Sequence, residues 1–363
     1  MSSRKMIEID GSVGEGGGQV LRTSLALAAV LGRKVRIFNI RAGRAEPGLK
    51  AQHLTSATAV TRICGAASEG LKIGSTEFTF SPGRIRAGSF RFDVGTAGSI
   101  TLVLQTLMPL LPFAPGPVEL EITGGTDVKW SPPIDYVRLV TVPLLEKMNV
   151  HASIFVSRRG HFPKGGGIVR LSATPTSIMK NFLGGASGVV NIVEGVSHSV
   201  QLPVGVAERQ AMAATRVIEE GNLPRPRIRI EHSESGSGPG SGIVLSALTS
   251  NGALLGGDSL GERGRPAEVV GEDAAGKLVK EMSSGGFLDR HMGDVIVPYA
   301  ALAEGVSDAT LSQVTLHTLT NVKVAEHVAG VHFDPLSQVG MPGRLRVSGL
   351  GLRREEVSVS PRE

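Results

Sequence analysis

One order of elements, written twice, constrains this chain more than any single motif. "MIEID" alternates as a strand, and "GQVLRTSLALAAVLG" sets Leu21, Leu25, Ala28 and Leu31 at helical spacing. "KVRIFNIR" reads as a strand, "GLKAQHLTSATAVTRICG" as a helix stopped by Gly65, and "LKIG" with "EFTFSP" as a hairpin. The same order returns at once. Strand "SFRFDV", helix "AGSITLVLQTLMPLL", strand "PVELEITGG" and helix "PPIDYVRLVTVPLLEKMN" lead to the strand pair "HASIFVS" and "GIVRLSA". What repeats is architecture, not sequence.

A third copy stands near the C-terminus. "GGFLDRHMGDVIVPYAALAEG" is helical, "ATLSQVTLH" a strand that runs to His317, and "NVKVAEHVAG" a helix, followed by "VHFDP" and "RLRVSG". Its first strand is displaced to the region 176–184, ahead of a long block with its own strands and helices. The expected fold class is therefore α/β (α+β). Three βαβαββ repeat units form a large domain, 1–183 and 282–363, and a small α/β domain, 184–281, is inserted in the third repeat. Within the block, "GSGPGSG" reads as a flexible hairpin loop without phosphate chemistry.

Bulk composition narrows the class. With 363 residues, 41% hydrophobic and 20% charged, the chain has the balance of a soluble globular protein. No apolar run approaches the ~20 residues of a bilayer span. The N-terminus carries no signal-peptide pattern, and the single Cys64 excludes an intrachain disulfide and reads as a buried thiol. A cytoplasmic location without a membrane partner is expected, and no obligate protein partner is evident. The net charge of +5 favours anionic partners, with Arg22, Lys34, Arg36, Arg41, Arg44 and Lys50 close together in sequence. One Trp, two Tyr and 11 Phe leave little for a stacking platform. Any nucleic acid would be held by its phosphates and sugars.

Several stretches could carry chemistry. "DGSVGEGGGQVLR" lacks both the phosphate-loop lysine and dinucleotide spacing. What remains is Glu15 among glycines at a helix start, either a residue favoured by the helix dipole or a carboxylate on a backbone that lets phosphate and metal approach. "NIRAGRAEPGLKAQH" sets Arg41 and Arg44 in a loop before Gln52 and His53, which fits a solvated basic loop or an oxyanion site. Gln105 inside an apolar helix is a structural cap or a ligand contact. His161 and Lys164 in "RRGHFPKGGG" read as solvent-exposed. Asp289, His291 and Asp294 do not share a helix face, and the nine histidines of the chain are scattered without zinc-finger spacing. His317 lies on the polar face of its strand, with Thr318, Thr320 and Asn321 placed to cap the following helix and leave N–H groups for an anion.

Lined up, "DGSVGEGGGQVLR", "IRAGRAEPGLKAQH", "TAGSITLVLQTLMP", "GGTDVKWSPP", "RRGHFPKGGG", "HMGD" with "ALAEG", and "HTLTN" resemble the RNA 3′-terminal phosphate cyclases over nearly the full length. The resemblance implies a three-step reaction with ATP, a Mg²⁺ or Mn²⁺ ion and an RNA bearing a 3′-terminal phosphate. A histidine takes AMP from ATP, passes it to the RNA phosphate, and the neighbouring 2′-hydroxyl closes a 2′,3′-cyclic phosphate. It assigns the nucleophile to His317 and the metal carboxylate to Glu15. Arg22, Arg41, Arg44, Gln52 and His53 fall in the RNA-phosphate and triphosphate region, and Gln105, Pro132, His291 and Asp294 around the adenosine. Some relatives carry tyrosine where this chain has His291. A sister group of ribosome-assembly proteins keeps the scaffold without the histidine, so a non-catalytic RNA-binding protein is the alternative, and enolpyruvyl transferases share the order of elements only.

Overall fold

The computed structural model describes residues 6–358. Its first unit runs β1 (Ile7–Asp10), α1 (Gly18–Leu31), β2 (Val35–Phe38), α2 (Ala51–Ile63), β3 (Ala67–Glu69) and β4 (Phe78–Ser81). The sheet order is β1-β2-β4-β3, with β1 parallel to β2 and the other pairs antiparallel. The hairpin was expected at "LKIG", but its first arm is β3. Gly70 and Gly74 take positive φ, +80° and +78°, so 71–74 turns instead of pairing.

The second unit repeats this topology. It comprises β5 (Gly88–Asp93), α3 (Ile100–Leu107), β6 (Val118–Gly124), α4 (Ile134–Tyr136), α5 (Val142–Glu146), β7 (His151–Arg158) and β8 (Gly167–Thr174), in the sheet order β5-β6-β8-β7. A π-helical turn, Val137–Thr141, joins α4 to α5 just before Pro143. Proline has no N–H to continue the ladder and its ring crowds the carbonyl four residues back, which widens the turn.

In the third unit β9 (Leu183–Gly184) pairs in parallel with β14 (Val306–Leu311), and β14 pairs antiparallel with β15 (Gly343–Ser348). The expected fourth strand at "VHFDP" is reduced to one bridge, Phe333 to Val347. Between β9 and β14 come β10 (Val190–Val200), α6 (Gly205–Glu220), β11 (Arg227–Ser233), β12 (Gly240–Thr249), β13 (Leu254–Leu260), α7 (Ala267–Ser283), α8 (Arg290–Val295) and α9 (Val297–Leu302). Strands β10 to β13 form a separate sheet, β11-β10-β12-β13, packed under α6 and α7 around its own apolar cluster that includes Leu245, Ala274 and Leu278. "GSGPGSG" is not a hairpin loop: β11 and β12 flank β10, so the run crosses over it. The chain closes with α10 (Leu316–Ala329) and α11 (Arg354–Ser358).

Helix α1 is the hub of the main core. Every residue from Gln19 to Val30 is buried, and the helix packs on α2, α3 and α10. A helix apolar on all sides must lie inside. Its few polar residues therefore face other polar groups across the core, and that is where the site forms. Among the described residues no helix is long and apolar enough to cross a membrane.

Candidate active site

The strand expected to present His317 is absent there. Strand β14 stops at Leu311, and His317 occupies the first turn of α10. Thr315 is the cap: its hydroxyl accepts from the Thr318 N–H, and the Thr318 hydroxyl accepts from the Thr315 N–H. Thr320 and Asn321 do not cap. The Thr320 hydroxyl donates to the Leu316 carbonyl and accepts from the Glu15 N–H at 3.1 Å, and Asn321 donates to the Asp294 carbonyl. The imidazole of His317 is about half exposed (49%) at a helix N-terminus, where free N–H groups and the helix dipole favour an anion.

Glu15 faces it from the turn before α1. Its Oε1 lies 3.8 Å from His317 Nδ1 and accepts from the Gln19 N–H, while Oε2 is ion-paired with Arg44 at 2.7 Å. So Glu15 serves the helix start and the cleft at once. The glycines beside it leave room for these side chains. A Cβ on Gly17 would lie 2.4 Å from Glu15 Oε1, and one on Gly18 would lie 2.4 Å from His53 Nε2 and 2.8 Å from an Arg22 nitrogen.

Arg22 and His53 thus meet over Gly18, both buried. Burial lowers Arg22 to about 10, opposed by Glu15 and Asp294, so the guanidinium keeps its charge at neutral pH. It donates to Gln19 Oε1, whose amide nitrogen donates to Asn321. Burial, followed by Arg22, Arg41 and Lys50, lowers His53 to about 3. Its Nδ1 accepts from the Lys50 N–H, which leaves Nε2–H as a neutral donor. Arg41 adopts φ +55° and donates to the Glu46 and Gly48 carbonyls, so part of its guanidinium shapes its own loop. Gln52 accepts from the Ser99 N–H, the cap of α3.

A second group adjoins. Gln105 and Pro132 line one small pocket with Val295 and Tyr299. The Pro132 carbonyl accepts from Thr101, and Gln105 Oε1 is buried without a partner. Arg22 Nε is likewise buried and unpartnered among the described residues. Next to Val295, Asp294 accepts from both Thr315 and Thr318 through Oδ1, and burial raises its pKa. It thereby also anchors the turn that carries His317. His291 stacks edge-on against Tyr136, ring centres 5.5 Å apart. Asp289 is structural: fully buried, it caps α8 and accepts from the Tyr136 hydroxyl and the Gly256 N–H. Cys64 is buried, as read, with its thiol pushed up to about 11 by burial.

Sequence reasoning missed Gln19 and the Thr315 cap, and it gave Asn321 a capping role where the structure has it accept from Gln19 and Thr23 across α1 and α10. A glutamine in an otherwise apolar helix was the available signal. It also read His161 as exposed, whereas the structure buries it against His198. The backbone of Gly240, from the other sheet, packs over that ring, and no local pattern encodes this.

A model of the RNA 3′-terminal phosphate cyclase family matches residues 13–334. The RNA 3′-terminal phosphate cyclase of Hyperthermus butylicus is 50% identical over 355 residues, 95% of this chain and 98% of the relative. Those of Methanopyrus kandleri and Pyrococcus furiosus are 48% and 46% identical, each covering 94% of this chain and 98% of the relative. Matched through most of its length, the chain belongs to the RNA 3′-terminal phosphate cyclase family.

Proposed function

We propose that this enzyme converts the 3′-terminal phosphate of RNA into a 2′,3′-cyclic phosphodiester, using ATP and a covalent His317–AMP. The observation that carries the reading is an accessible imidazole at the N-terminus of α10, facing Glu15 and close to Arg44. Glu15 sits on the Nδ1 side of the ring, so Nε2 is the nitrogen open to attack the α-phosphate of ATP. The P–N bond forms as the bond to pyrophosphate breaks. Arg22 supplies a fixed positive charge in a dry setting, where it counts for more than in water. Gln105 and Pro132, with Asp294 behind them, are suited to the adenosine side. Because Gln105 Oε1 needs a donor, an amino group of the base fits it.

In the second step the RNA 3′-phosphate attacks the same phosphorus, and the P–N bond breaks. In the third, the 2′-hydroxyl attacks the activated 3′-phosphate and AMP leaves. Arg41, Arg44 and Gln52 are assigned to the terminal phosphate with His53, which offers one neutral N–H and no charge. Scarce aromatics agree with a protein that reads an end and not a sequence. A single carboxylate beside the nucleophile suits Mg²⁺ or Mn²⁺, which takes one or two carboxylates and completes its shell with substrate phosphates. Such an ion would neutralise charge on the triphosphate oxygens.

Incubation with α-labelled ATP followed by denaturing electrophoresis tests the proposal. Protein-bound label is expected, chased to free AMP by RNA with a 3′-phosphate and absent in His317→Ala. Undiminished label in that variant sinks the assignment, and RNA binding with no label at all favours the non-catalytic alternative.

A further inference from the structure

Away from this cleft, a second constellation joins the two sheet systems. Asp127 follows β6, His161 lies between β7 and β8, and His198 is on β10 of the other sheet. We propose that Asp127, His161 and His198 bind one zinc-class divalent ion that staples the β10–β13 sheet to the second unit. The two Nε2 atoms are 3.0 Å apart, and Asp127 Oδ2 is 4.0 and 3.9 Å from them. A point equidistant from these three atoms lies roughly 2.1 Å from each, the length of a zinc–imidazole bond. Two imidazoles and a carboxylate are the donors that suit zinc and its neighbours, and Mg²⁺ poorly.

All three groups are enclosed, with Asp127 3%, His161 6% and His198 1% exposed. The hydrogen bonding is incomplete: Asp127 Oδ2 accepts from Thr126 and Arg159 and the two Nε2 atoms share one bond, but Asp127 Oδ1 and both Nδ1 atoms are buried without partners. Arg159 donates to Asp127 at 3.2 Å and shares its charge with Asp135 at 2.5 Å and Glu231 at 2.6 Å, so it would give up part of its hold on Asp127 to an ion. A cleft of about 220 Å³ lined by Arg159, His198 and Glu231 reaches the cluster from the His198 side.

The test uses the full chain, stripped with chelator and titrated with Zn²⁺ alone. One equivalent retained after gel filtration is expected. The unfolding midpoint should rise by about 5 °C at a hundredfold excess over the dissociation constant. His198→Gln and Asp127→Asn should weaken binding at least tenfold, and Glu15→Ala should leave it unchanged. Co²⁺ added to the unmutated chain should give visible absorption bands distinct from those of the aqueous ion, a reading independent of how the variants fold. The proposal falls if Zn²⁺ is not retained, if its retention depends on Glu15 and not on His198, or if Co²⁺ gives no such bands.

Discussion

Two histidine–carboxylate pairs in this molecule have nearly the same spacing and opposite surroundings. His317 Nδ1 stands 3.8 Å from Glu15, and His198 Nε2 stands 3.9 Å from Asp127. The first ring is half exposed at a helix N-terminus, the second is 1% exposed between two sheets. An attacking nitrogen needs a path for its substrate and anion-binding groups beside it, and only the first pair has both. A metal ligand needs an enclosed position held against other donors, which describes the second. Residue type and distance therefore do not assign chemistry. Burial and neighbours do.

Four substitutions or conditions probe that contrast. His317→Ala should cut adenylylation by about 10⁴-fold or more while the unfolding midpoint stays put, since the ring packs against little. A large fall in stability would place His317 in the structural class instead. Arg159→Met should do the reverse. It strands Asp127, Asp135 and Glu231 and should cost about 3–5 kcal/mol in urea unfolding, with label per folded molecule retained. A loss under about 1 kcal/mol would mean that the cluster is not holding the sheets together.

Acid should act on the buried rings first. His53, His161 and His198 are held neutral in the fold, while their unfolded forms take up protons below pH 6.5. The unfolded state then binds more protons, so stability is level above pH 7 and falls as pH drops from 6.5 toward 3. Each ring contributes a slope on the order of 1 kcal/mol per pH unit. His53→Gln should flatten the difference in urea midpoint between pH 7 and pH 5; an unaltered slope would count against a neutral His53. The smallest effect expected is for Thr315→Ala, about 1 kcal/mol of helix capping. Calorimetry should detect it, and labelling should fall by more than stability if that cap aims His317. Equal, minor losses in both would reduce Thr315 to an ordinary cap.

Much of the architecture was legible in the chain. Alternation and helical spacing were enough for α1, α2, β5 and β6, because periodicity reports which face is buried, and the order of the repeats pointed to the region that holds β9. Boundaries failed where a local device overrode pattern, as with the left-handed Gly70 and Gly74 or the Thr315 cap that turned a presumed strand into a helix. Of the site, the sequence by itself determined the residue types: a carboxylate among glycines, paired arginines in a loop, a histidine followed by hydroxyl residues. Only the tertiary structure decided who meets whom. Glu15 and His317 face each other because α1 packs on α10, and Gln19 reaches Asn321 through that same contact. His161, read as exposed, is paired with His198 of the other sheet, and Gly240 leaves no side chain to collide with its ring. Periodicity is a property of neighbours along the chain. Burial, desolvation and the meeting of distant polar groups depend on packing, which no window of sequence contains.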